Sequence, residues 1–275
     1  MKFRSHYITA FLALTALFVS CSDNDTAETI AGTVGNAQLY FDNGIDGSSL
    51  SLGKTYTNAN GEHLTISRLT YIISNIVFIK EDGTEYAYPK TNSYFVVNHE
   101  TQSLTVKLEN IPAGDYKKVR FGVGVDKAQY QLGQAAQQTF WDLAVANKLG
   151  TDWASGYRFL NFEGTFTSAA VTTQTPFAVH TGNSSSADNY REVTLLLPTT
   201  ARVRTTIAPS IHIKTDINLL LDGANKIVLG SSLDAGGTSA TIDTGVNVAK
   251  IADNTPSIFK VDHVHNESGD DGDED

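Results

Sequence analysis

The sequence predicts a mainly β protein, a single β-sandwich-like domain of antiparallel strands with one or two short helices. Short runs rich in β-branched and aromatic residues recur along the chain, and turn dipeptides such as Asn43-Gly44, Asp46-Gly47 and Asp82-Gly83 separate them. Apolar and charged residues alternate over 118–123, as on a half-buried strand. Neither an internal repeat nor a Pro/Gly-rich linker divides the region 37–266, which we interpret as one domain.

The predicted strands follow one another at short intervals. They lie at residues 37–42, 50–52, 63–80, 86–88, 93–97, 104–108, 116–123, 153–166, 176–182, 192–198, 210–221 and 259–266. The run 63–80 is too β-branched for a helix, and a bend or bulge near Arg68 or Ser74 is expected. Apolar residues at helical spacing predict a helix at about Thr139–Lys148, ended by Gly150, and a second short helix is expected near 246–252.

The first twenty residues resemble the signal peptide of a bacterial lipoprotein. Two basic residues precede an apolar run at 7–19 that is too short to stay in the membrane as an anchor. The run ends at Phe18-Val19-Ser20-Cys21, which resembles a lipobox and predicts that a lipid on Cys21 attaches the protein to the membrane. We therefore predict a cell-envelope, outer-membrane lipoprotein that faces either the periplasm or the cell surface.

The remaining composition limits the classes of partner and ligand. The net charge is −10, so a nucleic acid backbone is an unfavourable partner. Residues 21–36 are expected to be an acidic flexible tether, and residues 267–275 a disordered acidic tail. Cys21 is the only cysteine, which excludes intramolecular disulfides and Cys-ligated metal sites in the domain. Histidines and carboxylates remain as metal ligands.

Two histidines at the end of the domain predict a metal site. His263 and His265 are two residues apart on a predicted strand, so they share a face, together with Phe259 and Val261. Their Cα atoms should lie roughly 6–7 Å apart, which lets both imidazoles bind one ion. The structural alternatives are a hydrogen-bonded core role for His263 and simple exposure for His265.

Other residues near these strands are expected to have lesser roles. His212 lies beside Lys214 on a polar face and is predicted to be a surface residue. Asp262 could orient a metal-binding imidazole, but strict alternation turns it away from the face of His263, so that role would need a bend in the strand.

No nucleophile elbow, His-Glu-x-x-His helix or phosphate-binding glycine loop is present in the sequence, and we predict that the protein is not an enzyme.

Eight motifs in the same order resemble the MbnP-like family, copper-binding proteins associated with methanobactin gene clusters. They are Leu39–Phe41, Gly47-x-x-Leu50-x-Leu52-Gly53, Tyr71–Ile76, Pro112–Tyr116, Gly122–Asp126, Trp153-x-Ser155-Gly156-Tyr157 with Phe162-Glu163-Gly164, Phe177-x-x-His180-x-Gly182 and Asp262–Asn266. The resemblance implies an exported, mainly β protein that binds copper. In the methanotroph relatives, the ligands are histidines and a tryptophan oxidised to kynurenine by a di-haem peroxidase-like partner, so the resemblance also implies such a partner here.

The chain departs from those relatives at two positions. Phe41-Asp42-Asn43 stands where they look to carry Trp-x-His, and Lys127-Ala128-Gln129 stands where they have Asn-His. The ligands that the resemblance leaves are His180, His263 and His265. Trp153 is the tryptophan that could be oxidised, but the expectation for it is an ordinary aromatic residue of the core.

The prediction is therefore a copper-binding protein that captures, stores or delivers one ion through these three histidines. Imidazole ligands suit copper, zinc and nickel, and the order of affinities favours Cu(II). The alternative is a non-catalytic surface module that binds a glycan or a protein partner. The 11 tyrosines and 13 phenylalanines of the chain would serve that role equally well.

Overall fold

The computed structural model describes residues 33–183 and 188–266. The predicted signal peptide, Cys21, most of the tether and the acidic tail lie outside the described residues. Within them the chain forms fourteen strands in two sheets, with four short α-helices, which confirms the predicted mainly β, sandwich-like fold. Most strand pairs are antiparallel. Two strand pairs, one in each sheet, are parallel.

The smaller sheet has five strands. They are β1 (Val34–Ile45), β2 (Ser48–Ser49), β7 (Thr105–Pro112), β12 (Ser210–Asp216) and β14 (Phe259–His265). The order across the sheet is β14-β12-β1-β2, and β7 also pairs with β1. The pairing of β1 with β12 is parallel, whereas β12 and β14 are antiparallel. Strands from the start and the end of the chain therefore lie side by side.

The larger sheet has nine strands. They are β3 (Thr55–Thr57), β4 (His63–Lys80), β5 (Glu85–Ala87), β6 (Tyr94–Asn98), β8 (Gly114–Val123), β9 (Arg158–Thr167), β10 (Thr175–Gly182), β11 (Arg191–Val203) and β13 (Ala240–Ile242). The order is β11-β8-β4-β9-β10-β13, with β10 and β13 parallel. The long central strand β4 has irregularities between Ile66 and Arg68 and between Ser74 and Val77, which confirms the predicted bend.

The α-helices are α1 (Lys127–Tyr130), α2 (Gln138–Ala146), α3 (Leu219–Asp222) and α4 (Val246–Asn254). Helices α2 and α4 confirm the two predicted helices to within two residues at each end. None of the helices in the two described ranges is long and apolar enough to span a membrane.

Several predicted strand ends were wrong, and three of them have a local reason. Strand β1 begins at Val34, because Val34 and Gly35 pair with β7 in a stretch that we assigned to the tether. The strand predicted over 210–221 ends at Asp216, whose carboxylate accepts a hydrogen bond from the Asn218 N–H at 3.2 Å and starts a turn. The strand predicted from Trp153 begins at Arg158, after a single 3₁₀ turn.

Aromatic residues join the two sheets at the centre of the core. Phe41 and Phe259 come from the smaller sheet, and Tyr71 and Phe121 from the larger one. Phe121 lies edge to face against Phe41, with ring centroids 5.7 Å apart, and against Phe259, at 5.2 Å. These contacts are favourable beyond the apolar area that they bury. Because Phe259 begins β14, they also fix that strand against the core.

A second apolar cluster covers the outer face of the larger sheet. Ile72 of β4 points into it, whereas its neighbours Tyr71 and Ile73 point into the main core between the sheets. Helix α2 contributes Trp141 and Ala144 to this cluster. The larger sheet is therefore buried on both faces along the middle of β4.

Candidate metal centre

The register of β12 and β14 brings three histidines together. His212 of β12 lies directly opposite His263 of β14, and Ser210 lies opposite His265. Ile211 and Ile213 point into the core on either side of His212, so His212 points outward. Its partner across the strands, His263, points outward with it, on the outer face of the smaller sheet.

A β-bulge at Asp262 sets this arrangement. The pairing passes from His212 and His263 directly to Ile213 and Val261, so that Asp262 is an extra residue in β14. Val261 before the bulge is buried, and Val264 after it packs against the core. His263 and His265 consequently lie on the solvent side, and our prediction that they share a face with Phe259 and Val261 was wrong.

The three imidazoles are in mutual contact. His212 and His263 are stacked, with ring centroids 4.3 Å apart, and His265 lies edge-on at 4.5 Å from His263 and 5.0 Å from His212. One nitrogen from each ring lies within 4.8 Å of the other two. Nitrogens bound to one ion at ~2 Å would be ~3.3 Å apart in a tetrahedral site, so small side-chain rotations would complete the coordination.

Within residues 33–183 and 188–266, these three form the one group of three or more His, Cys, Asp or Glu side chains with donor atoms this close. His212 and His263 are half-buried, and His265 is exposed. The donor set is three imidazoles with access to solvent. Such a set fits a borderline divalent ion such as Cu(II) or Zn²⁺, and a further ligand could enter from solvent.

His212 is held in the neutral form that binds metal. Its pKa falls to about 4, first because burial disfavours the charged ring and then because of the neighbouring His263 and His265. A histidine must be deprotonated to coordinate a metal ion. His212 therefore needs no proton release at neutral pH.

Neighbouring side chains hold the cluster in place. The ring of Tyr40, on β1, lies 5.1 Å from that of His212. The Asp262 carboxylate contacts Nδ1 of His263 at 3.0 Å and Nζ of Lys214 at 3.1 Å. Hydrogen bonds with Lys214 and His263 lower the pKa of Asp262. For Asp262 to orient a metal-binding imidazole, the strand had to bend, and the bulge provides that bend.

The end of β14 is fixed to the other sheet. Asn266 accepts a hydrogen bond from the Arg202 N–H at 2.7 Å and donates one to the Thr200 carbonyl at 2.8 Å. Both partners belong to β11 of the larger sheet. The residue that follows His265 is thereby held in place, so β14 is fixed at both ends.

We expect the metal-free protein to lose stability on acidification partly through His212. The unfolded ring takes up a proton near its ordinary pKa of 6.5, and the folded ring only near pH 4. Between these values the unfolded state binds more protons, so the free energy of unfolding falls as the pH decreases from about 6.5 to about 4. Urea unfolding of the wild type and His212→Gln in chelator, at pH 7 and pH 5, measures this contribution.

The free energy of unfolding of the wild type, minus that of the variant, should be smaller at pH 5 than at pH 7. Because His99 and His180 are present in both proteins, their titration cancels in the difference. If the difference in unfolding free energy between the two proteins were the same at both pH values, the lowered pKa of His212 would be contradicted.

His180 lies elsewhere, and our expectation that it meets His263 and His265 is not supported by the structure. It is on β10 in the larger sheet, where Phe177 and Val179 point into the core and His180 points outward. Its Nε2 lies 2.8 Å from Oε1 of Glu163, which also pairs with Arg68. Burial lowers the pKa of His180. The two sheets pack face to face, so His180 and the three-histidine cluster are on opposite outer faces.

Trp153 is also remote from the cluster. It stacks on Tyr130, with ring centroids 4.8 Å apart, and meets Trp141 edge to face at 5.1 Å. These rings belong to the apolar cluster on the outer face of the larger sheet. The structure therefore accounts for Trp153 as a packing residue. Whether its ring is oxidised remains a prediction from resemblance.

The position where the methanotroph relatives look to carry a histidine has become part of the core. Asn43 accepts a hydrogen bond from the Tyr71 hydroxyl at 2.9 Å, and its amide nitrogen lies 3.5 Å from Nδ1 of the buried His99. The other ring nitrogen of His99 donates to the Leu50 carbonyl at 3.1 Å. Both nitrogens of His99 are thus used within the protein.

The fold and this geometry define a β-sandwich whose smaller sheet carries a cluster of three imidazoles on its outer face. The family model MbnP matches residues 34–241, and the chain belongs to the MbnP family. That family is extracytoplasmic and is associated with methanobactin and copper, so membership indicates a copper-related role. His212 lies inside the matched range, and His263 and His265 lie beyond it.

A structure comparison found MbnP from Methylosinus trichosporium. The two chains are 12% identical with a TM-score of 0.47, and the match covers 83% of this chain and 98% of that chain. A similarity of this degree carries no argument for shared ligands. A comparison with curated proteins found no match.

Sequence reasoning missed His212. Alternation correctly placed it opposite Ile211 and Ile213, and the proximity of Lys214 then favoured an ordinary surface position. The one signal available was a histidine flanked by core isoleucines on a strand. Its significance depends on β14 being the neighbouring strand, and that pairing has no local sequence signature.

Proposed function

We propose that the protein binds one copper ion through His212, His263 and His265, for capture, storage or delivery outside the cytoplasm. The observation that carries the proposal is the convergence of three imidazole nitrogens within 4.8 Å on one rigid sheet. The nitrogens come from β12 and β14, which are distant in sequence. Hydrogen bonds between these two strands, and the packing of their apolar side chains in the core, hold both strands in place. A preorganised site of this kind loses little conformational entropy when the ion binds.

Copper is favoured over other metal ions by the order of affinities for imidazole ligands and by the family to which the chain belongs. Imidazole suits copper, zinc and nickel, and Cu(II) is at the top of the affinity order for such ligands. The site lacks thiolate and thioether ligands, which would select Cu(I). Membership of a family associated with copper supports the same choice. We propose a binding role and not a catalytic one.

The N-terminal sequence supports membrane attachment as a lipoprotein. A charged start, a short apolar run and Cys21 at its end are the features of a lipid-anchored exported chain. We propose that a lipid on Cys21 holds the domain in the cell envelope, at the outer membrane. The metal site would then face the compartment in which oxidised copper is available.

The structure favours metal binding over the alternative of a glycan-binding or protein-binding module. That alternative would be supported by an exposed flat strip of aromatic rings and by separated histidines. Instead, Trp153, Tyr130 and Trp141 pack against one another beside helix α2. The three histidines, by contrast, are in direct contact.

Calorimetric titration of the purified protein with Cu(II) tests the proposal. We expect about one copper per chain, with a dissociation constant in the micromolar range or tighter. The double variant His263→Ala/His265→Ala should lose this binding, because a single imidazole remains in the cluster. No binding by the wild type, or equal binding by the double variant, would reject the site.

A further inference from the structure

We propose that Asp262 is the positioning residue of this copper site: its carboxylate holds the Nδ1–H of His263, so that Nε2 of His263 is the atom that binds the ion. This inference rests on the proposed function and makes it more specific, since it names the ligand atom. The range that the family model matches, 34–241, ends before this residue.

The first support is the position of Asp262 at the bulge. In a regular strand, Asp262 would point to the opposite face from His263. The extra residue lets the carboxylate turn to the solvent side, where Oδ2 lies 3.0 Å from Nδ1 of His263. Bulges commonly redirect a side chain in this way near functional sites. The same feature that turns the two histidines outward thus places a carboxylate against one of them.

The second support is the chemistry of the contact. An ionised carboxylate is an acceptor only, so the hydrogen on this contact belongs to Nδ1 of His263. A neutral imidazole carries one N–H, and the lone pair available to a metal ion is then on Nε2.

The third support is Lys214, which fixes Asp262 from the adjacent strand. Nζ of Lys214 lies 3.1 Å from the same Oδ2 that contacts His263. Lys214 follows His212 by two residues on β12 and points to the same face. One strand therefore supplies a ligand and the residue that anchors the carboxylate. Asp262 is not itself among the side chains whose donor atoms converge.

Copper affinity of the purified protein and of Asp262→Ala, measured by competition with a chelator of known affinity, tests the assignment. Mutation of a residue that hydrogen-bonds to a metal-binding histidine typically lowers the metal affinity by about 10–100-fold. We therefore expect Asp262→Ala to lose at least about tenfold in copper affinity. Asp262→Asn keeps an acceptor oxygen without the charge and should lose less. The matched control is Asp253→Ala, which removes an exposed carboxylate paired with Arg191 away from the cluster, and should bind within about twofold of wild type.

A second measurement reads the contact without copper. In ¹⁵N NMR spectra of the metal-free protein at neutral pH, His263 should show the Nδ1–H tautomer in the wild type and a shift toward Nε2–H in Asp262→Ala. A purely structural role for Asp262 would not move this signal.

The outcomes separate this inference from the proposed function. A wild type that binds no copper rejects the function, while the tautomer still reports on the Asp262 contact. A wild type that binds copper, together with an Asp262→Ala variant of equal affinity, overturns the inference alone. An Nε2–H tautomer of His263 in the wild type also overturns it.

Discussion

Replacing His212 by glutamine is expected to weaken Cu(II) binding by more than about a hundredfold. His212 supplies one of the three converging nitrogens, and its partial burial lowers its pKa, which keeps the ring neutral at neutral pH. Mutation of a residue that only hydrogen-bonds to a ligand already lowers metal affinity by about 10–100-fold. Mutation of a direct ligand should therefore lower it further. The dissociation constant can be measured by chelator competition at neutral pH.

The matched control is His180→Gln. Sequence reasoning selected His180 as the third ligand, and the structure places it on the other outer face of the sandwich, beside Glu163. Its replacement should leave the copper affinity within about twofold. If His180→Gln lost binding and His212→Gln kept it, the cluster described here would not be the site.

Replacing Phe121 by alanine is expected to lower the free energy of unfolding by about 3–5 kcal/mol, the usual cost of truncating a buried phenylalanine. Phe121 is fully buried and contacts Phe41 and Phe259 of the opposing sheet. Urea unfolding followed by circular dichroism measures the change, which is large compared with the 5–15 kcal/mol by which most domains are stable.

Leu196→Ala serves as the control for this prediction. Leu196 lies on β11 and its exposed fraction is 69%, so truncation removes little buried surface and should change the unfolding free energy by less than about 0.5 kcal/mol. A loss below about 1 kcal/mol for Phe121→Ala would mean that the two sheets are not held together through this aromatic contact.

Local patterns in the sequence were sufficient for most of the fold. The β-branched run 63–80 became the central strand β4, and the spacing of Phe140, Leu143 and Ala144 located helix α2. The predicted end of a strand was wrong where a single polar side chain ends the strand, as Asp216 does at the end of β12. Such stops depend on a turn geometry that the apolar pattern does not report.

The candidate site could be predicted only in part. His263 and His265 are close in sequence, and a strand places them side by side, so they were found. Their orientation was predicted wrongly because a single extra residue, Asp262, reverses alternation after the bulge. The third ligand depends on which strand pairs with β14. A pairing between residues about 50 positions apart is set by the packing of the whole sheet and not by local sequence.

The resemblance to the MbnP family led to the correct family and to two of the three clustered histidines. It also selected His180, which the fold separates from them. Family motifs record which residues recur, whereas a metal site requires that donor atoms meet. In this chain, Asn43 and His99 form a core hydrogen-bonding network, and a different face of the sandwich carries the imidazole cluster.

The most direct test of the copper assignment is an anomalous difference map, recorded at the copper absorption edge, from crystals of the copper-loaded protein. We predict one strong peak at about 2 Å from a nitrogen of each of His212, His263 and His265. A strong peak elsewhere, such as beside His180 and Glu163, with none between these three rings, would contradict it.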